Sequence, residues 1–205
     1  MKRALIAIII TALGSLATYA QDNATDEDVK QPPVLAIRTN VLYDFILEAP
    51  NLSVEVPLSD KVSIQGGYMQ PWRIWHSNSY ALQSHSLDLQ LKYWLGERTR
   101  ENRLLGHHVS LDLGIGDHDI QHKGKGYQGK YFLTGVCYGY TFSIATNVAI
   151  DLGLGLGMLY SDYHKYNLDV DTDLLMWEED KKFTWIGPTD VHASLIFTIP
   201  AKKKQ

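Results

Sequence analysis

The sequence predicts an all-β fold, an eight-stranded antiparallel up-and-down transmembrane β-barrel, on three observations. Apolar and polar residues alternate with period two in eight segments of roughly ten residues. Beyond Leu16 no apolar stretch is long enough for a membrane helix, so a span of the mature chain must be a closed barrel. The first twenty residues read as an export signal.

Lys2 and Arg3 form the positive start of that signal, and Ala4 to Leu16 is its apolar run. Thr18-Tyr19-Ala20 supplies small residues where a signal peptidase reads, which places cleavage after Ala20. No Cys follows the run, against a lipid-anchored N-terminus. Residues 21–33 are an acidic, flexible lead-in closed by Pro32-Pro33, residues 34–200 the barrel, and residues 201–205 a basic tail.

The first strand is read from Val34 to Asp44, with Leu35, Ile37, Val41 and Tyr43 opposite Arg38, Asn40 and Asp44. Leu52, Val54, Val56 and Leu58 alternate with Asn51, Ser53 and Glu55 in the second, and Ser59-Asp60-Lys61 turns the chain. The third sets Val62, Ile64 and Tyr68 against Ser63, Gln65 and Met69. Leu87, Leu89, Leu91 and Tyr93 oppose Ser86, Asp88, Gln90, Lys92 and Trp94 in the fourth. Val109, Leu111, Leu113 and Ile115 oppose His108, Ser110, Asp112 and Gly114 in the fifth. In the sixth, Phe132, Val136, Tyr138, Tyr140 and Phe142 are placed outward because the other face is Gly135, Cys137 and Gly139. Val148 to Met158 forms the seventh, leucines against Ala149, Asp151, Gly153, Gly155 and Gly157. The eighth sets Val191, Ala193, Leu195, Phe197 and Ile199 against Asp190, His192, Ser194 and Thr198.

Aromatic residues gather at strand ends: Tyr43, Tyr68, Trp72 and Tyr160 at one, Tyr93, Tyr140 and Phe197 at the other, as two interfacial girdles would. Connections alternate in length. Ser59–Lys61 and Ser143–Asn147 are short, whereas Trp72–Gln83, Asp117–Gln128 and Ser161–Lys182 are read as long outer loops. Gly96–Gly106 is long on the short-turn side and breaks the rule.

A soluble lipocalin-like ligand-binding barrel shows the same alternation with its faces reversed. The polar face here is a small charged set among Gly and Ser: Arg38, Glu55, Asp88, Lys92, Asp112 and Asp151. That suits a narrow interior, where these groups form a charge network, better than a solvated wall. Removing Lys2 and Arg3, with no acid in the first twenty residues, takes the net charge from −4 to −6, so no overall basic field for nucleic acid exists. A single cysteine, Cys137, excludes an internal disulfide.

Other constellations carry weaker signals. Asp169-Val170-Asp171-Thr172-Asp173 opens like a calcium loop, but Leu174 replaces the required Gly and Asp180 the bidentate Glu. Asp169, Asp171 and Asp173 are thus weak metal candidates, and a solvated acidic loop is the plainer reading. His118, Asp119 and His122 lack a further ligand. His108-Val109-Ser110 with Asp112 resembles the His-x-Ser of lipid A deacylases, the basis of an alternative as a lipid-modifying barrel enzyme. The alternation points His108 and Ser110 inward, away from lipid, so the expectation is no enzyme and no cofactor. Gly153-x-Gly155-x-Gly157 lies on one strand face and is no dinucleotide fingerprint.

Thr39-Asn40-Val41-Leu42-Tyr43-Asp44, Asn51-Leu52-Ser53-Val54-Glu55, Pro71-Trp72, Tyr93-Trp94, Tyr127-Gln128-Gly129, Tyr138-Gly139-Tyr140, Lys165-Tyr166 and Gly187-Pro188-Thr189 occur in that order. Over nearly the whole mature chain this resembles the small outer-membrane proteins of Bacteroidetes known as domain of unknown function 3575. The resemblance implies a barrel in the bacterial outer membrane, often encoded near fimbrial genes and without an established activity. Its implied partners are outer-membrane lipid, lipopolysaccharide and surface-assembly proteins. Many members carry a Cys-x-x-Cys pair in the last long loop, where this chain has Asp169-x-Asp171-x-Asp173, so no role of that pair carries over. The expected function is a non-enzymatic barrel that presents outer loops and supports a surface assembly.

Overall fold

The computed structural model describes residues 32–46, 48–75, 80–100, 102–123, 125–169 and 174–201. They form β1 (Pro33–Asn40), α1 (Val41–Ile46), β2 (Asn51–Pro57), β3 (Val62–Met69), β4 (Trp72–Trp75), β5 (Tyr80–Trp94), β6 (Gly106–His122), β7 (Lys125–Ala145), β8 (Val148–Asp169) and β9 (Leu174–Pro200). Every pairing is antiparallel and joins sequence neighbours, except that β3 pairs β5 and β1 pairs β9. β3 and β4 both pair β5 and together make one wall position. The ring therefore closes on eight strands, an up-and-down barrel without free edges around its waist.

Several sequence expectations need correction. The first strand stops at Asn40 rather than Asp44. Asn40 Oδ1 accepts Leu42 N at 3.1 Å, which caps α1, and Asn51 Oδ1 accepts Asn40 N at 2.6 Å, which stitches its two ends together. Tyr43 accordingly leaves the outward girdle and turns its hydroxyl to Asp190 (3.4 Å). The expected loops 117–128 and 161–182 are mostly strand: β6 and β7 run on to His122 and Lys125, and β8 and β9 to Asp169 and Leu174. Residues 72–83 likewise hold β4 and the start of β5. These distal extensions are rich in polar residues, with Ile74, Ile120, Met176 and Trp177 scattered among them, so they lack the one-sided apolar pattern by which strands are read. Asp171 and Asp173 lie outside the described residues, and Asp169 is the last residue of β8.

The outward face is apolar around the waist. The register aligns Leu91, Leu111, Val136 and Leu156 in one row and Leu87, Ile115, Phe132 and Tyr160 in another. All eight are exposed, Leu156 by 66 %. Toward the distal end the next outward row is His85, Asp117, Lys130, Asp162 and Lys182, and the apolar belt ends there. The inward face is buried and polar, holding Arg38, Glu55, Lys92, His108 and Asp151.

The end that holds Pro32 and Ala201 is plugged. Trp94, Leu104, Ala36, Ala149 and Ile196 form a small buried apolar cluster. Leu104 comes from the long connection between β5 and β6, which folds under the barrel. Arg98 ties that connection down with hydrogen bonds to the carbonyls of Leu95, Leu105 and His107, and its guanidinium lies 5.7 Å from the Trp94 ring centroid. The exceptional length of this connection therefore corresponds to a floor.

Candidate functional site in the barrel interior

Alternation fixes which side chains enter the lumen, and barrel closure brings distant strands together. Arg38 of β1 holds Glu55 of β2 with Nη1 and Asp151 of β8 with Nη2. Lys92 of β5 lies 3.5 Å from Glu55 Oε2 and 3.8 Å from Asp151 Oδ2. All four are at most 3 % exposed. Two cations and two carboxylates balance, as charges taken out of water require.

Hydroxyl, indole and imidazole groups surround these charges. Ser63 donates to Glu55 Oε1 (2.5 Å) and accepts Trp94 Nε1 (2.8 Å), which links the charges to the apolar floor. Thr141 donates to Asp151 Oδ1 (2.9 Å), and His108 Nε2 lies 2.9 Å from the same oxygen. His192 Nε2 is 3.3 Å from Asp151 Oδ2.

Three further carboxylates, Asp88, Asp112 and Asp190, lie on the distal side of this balanced core. Among the described residues none of them has a Lys or Arg ion pair. Asp112 accepts the Ser110 hydroxyl (2.6 Å) and Asp190 contacts His192 Nδ1 (2.6 Å). The excess of acids legible in the sequence is thus confined to one layer.

Of the residues singled out from the sequence, Arg38, Glu55, Lys92 and Asp151 meet directly, while Asp88 and Asp112 stand apart from them. The lipid-hydrolase constellation is not assembled. Ser110 aims its proton at Asp112, whereas His108 is engaged with Asp151; a nucleophilic serine needs the imidazole as its proton acceptor. Sequence reasoning left His108, His192, Asp190 and Cys137 out of the network. The same period-two alternation puts them inside, but their side chains meet only across four strands.

Glycines shape this layer. Gly139 pairs with Gly153, and the pair lies between His108 of β6 and His192 of β9. A Cβ on Gly139 would lie 2.5 Å from His108 Cε1, and one on Gly153 would lie 2.4 Å from His192 Cε1. The two imidazoles fit because the wall beneath them has no side chains. Gly153→Ala should therefore lower stability by about 1–3 kcal/mol, the usual cost of overpacking. Gly66→Ala, where a Cβ meets nothing within 4 Å, should be close to neutral. Urea unfolding of the two variants in lipid vesicles checks this; equal midpoints would mean that the glycine floor has no such role.

A family model described as "Protein of unknown function (DUF3575)" matches residues 6–199. No curated protein and no solved structure matches the chain.

Proposed function

The chain belongs to the DUF3575 family of proteins of unknown function, and from that membership we propose a non-enzymatic barrel of the bacterial outer membrane. Its role in this reading is to present distal strands and loops to a partner at the cell surface. The carrying observation is the belt of exposed apolar side chains around a buried polar interior. Soluble monomers rarely expose contiguous apolar patches larger than a few hundred square ångströms, and a lipid-embedded barrel needs such a belt. The export signal read at residues 1–20 supports delivery through the inner membrane.

An interaction role is supported by the distal extensions. Beyond the belt, β4 to β9 form a concave surface of about 740 Å³ lined by Trp72, His85, Asp117, Lys130, His164 and Asp180. β1 ends at Asn40 opposite Ser194, so the distal part of β9 pairs with β8 alone. A free edge is a template for an added strand, although Pro188 and the charges of residues 178–182 limit which strand fits. Assembly of fimbriae or another surface structure as the outcome rests on the family resemblance.

Density-gradient fractionation followed by crosslinking and identification of co-purified proteins tests the reading. The expected result is recovery with the outer membrane together with a surface partner, and an unchanged lipid A mass spectrum in Ser110→Ala cells. Recovery in the soluble periplasm would overturn the location, and altered lipid A in that variant would overturn the non-enzymatic role.

A further inference from the structure

We propose that Cys137, Asp190 and His192 bind a divalent metal ion of the zinc class inside the barrel. One ligand atom from each lies within 4.8 Å of the other two. Thiolate, imidazole and carboxylate are the donor types zinc takes, and three protein ligands leave a fourth position for water. Cys137 is fully buried, and the side chains of Asp190 and His192 are 17 % and 8 % exposed.

Two independent observations point to a ligand here. The first is His192 itself. Its Nδ1 lies 2.6 Å from Asp190 and is the nitrogen that a metal held with Asp190 would take, while its buried Nε2 faces Asp151 Oδ2 at 3.3 Å without hydrogen-bonding geometry. With Nδ1 on a metal the ring proton sits on Nε2, and Asp151 is placed to accept it, the outer-shell carboxylate that metal-bound imidazoles commonly have. The second is the charge distribution. Arg38 and Lys92 are spent on Glu55 and Asp151, and Asp190 belongs to the layer of acids that no Lys or Arg pairs. With His192 neutral on the metal, a dication there offsets the charge of Asp190, whose cationic partner among the described residues is otherwise a protonated His192.

The backbone allows the approach. Cys137, Gly155 and Asp190 are cross-strand neighbours on β7, β8 and β9. A Cβ on Gly155 would lie 3.0 Å from Asp190 Cβ and 3.3 Å from Cys137 Cβ. Without that Cβ, the thiol and the carboxylate converge over a bare strand.

His108, Asp151 and His192 form a second group of suitable atoms within 4.8 Å. It is the poorer site, because Asp151 already accepts Arg38 and Thr141 and lies 3.8 Å from Lys92. A metal there would face two fixed cations. At the cysteine site, binding replaces the thiol S–H bond with an S–metal bond and releases one proton to solvent, so affinity rises with pH.

Cobalt(II) titration of the folded mature protein in detergent tests the proposal with a readout specific to sulfur. Cys137 is the only cysteine of the chain, so a thiolate-to-cobalt charge-transfer band has one source. The expected result is one cobalt per chain with that band, displaced by zinc, abolished in Cys137→Ser and weakened in Asp190→Asn. His108→Gln should keep it. The wild-type spectrum decides even if a variant fails to fold: no cobalt uptake, or uptake without the band, overturns the proposal. Cobalt uptake without the band, lost in His108→Gln and kept in Asp190→Asn, would overturn it in favour of the other group.

Discussion

Arg38→Met should lower the folding stability of the barrel by about 3–5 kcal/mol, the range for breaking a buried ion pair by removing one partner. Arg38 bridges Glu55 of β2 and Asp151 of β8, and holds both more closely than Lys92 does. Replacing it leaves both carboxylates in the lumen with Lys92 alone, at 3.5 and 3.8 Å. Lys92→Met should cost less, because the guanidinium still spans both acids. Urea unfolding in lipid vesicles measures each variant, and neutral behaviour of both would refute the pairing. The same network blocks conduction, since an eight-stranded barrel has a lumen that side chains can fill. Planar bilayers with the wild type should show no steady ohmic current; a stable one would refute the closed interior.

Most of the fold was legible because the waist obeys one rule. Leu87 to Tyr93 and Val109 to Ile115 alternate without interruption, and both point outward in the structure. Two places were not legible. Val41 and Tyr43 continue the alternation of β1, yet α1 begins at Val41, because Asn40 and Asn51 hydrogen-bond to the backbone and close the chain early. The distal halves of β6 to β9 read as loops because no one-sided apolar pattern runs through them.

The interior divided along a similar line. Face membership is local, so Arg38, Glu55, Lys92 and Asp151 could be listed from periodicity. Their pairing depends on which strands face one another across the lumen, which only closure decides. His108 shows the limit: its neighbour Ser110 suggested a catalytic pair, whereas its partner is Asp151, 43 residues away. The alternation puts Gly139 and Gly153 on the inward face, but the rings they accommodate come from β6 and β9.

Leu89→Arg should cost about 2–4 kcal/mol in a bilayer, the penalty for a cation at the lipid midplane of a barrel. Leu89 is 45 % exposed and pairs with Gly66 and Leu113, whose row continues through Thr134, Met158 and Ile186. The apolar row of Leu87 separates it from the polar row of His85 on one side, and the rows of Leu91 and Tyr93 follow on the other. Leu82, first read as a loop residue, lies within β5 opposite Arg73 and Ile120 and makes a poor control. Gln128 is better: it is exposed, and its row holds Asp119, His164 and Asp180, outside the belt. Gln128→Arg should change stability by no more than about 0.5 kcal/mol, as ordinary surface substitutions do. In water an exposed Leu89→Arg would be equally mild, so the comparison isolates lipid contact from packing. Unfolding in vesicles that penalises Leu89→Arg alone supports a lipid-facing belt; equal stability of the two variants would rule it out.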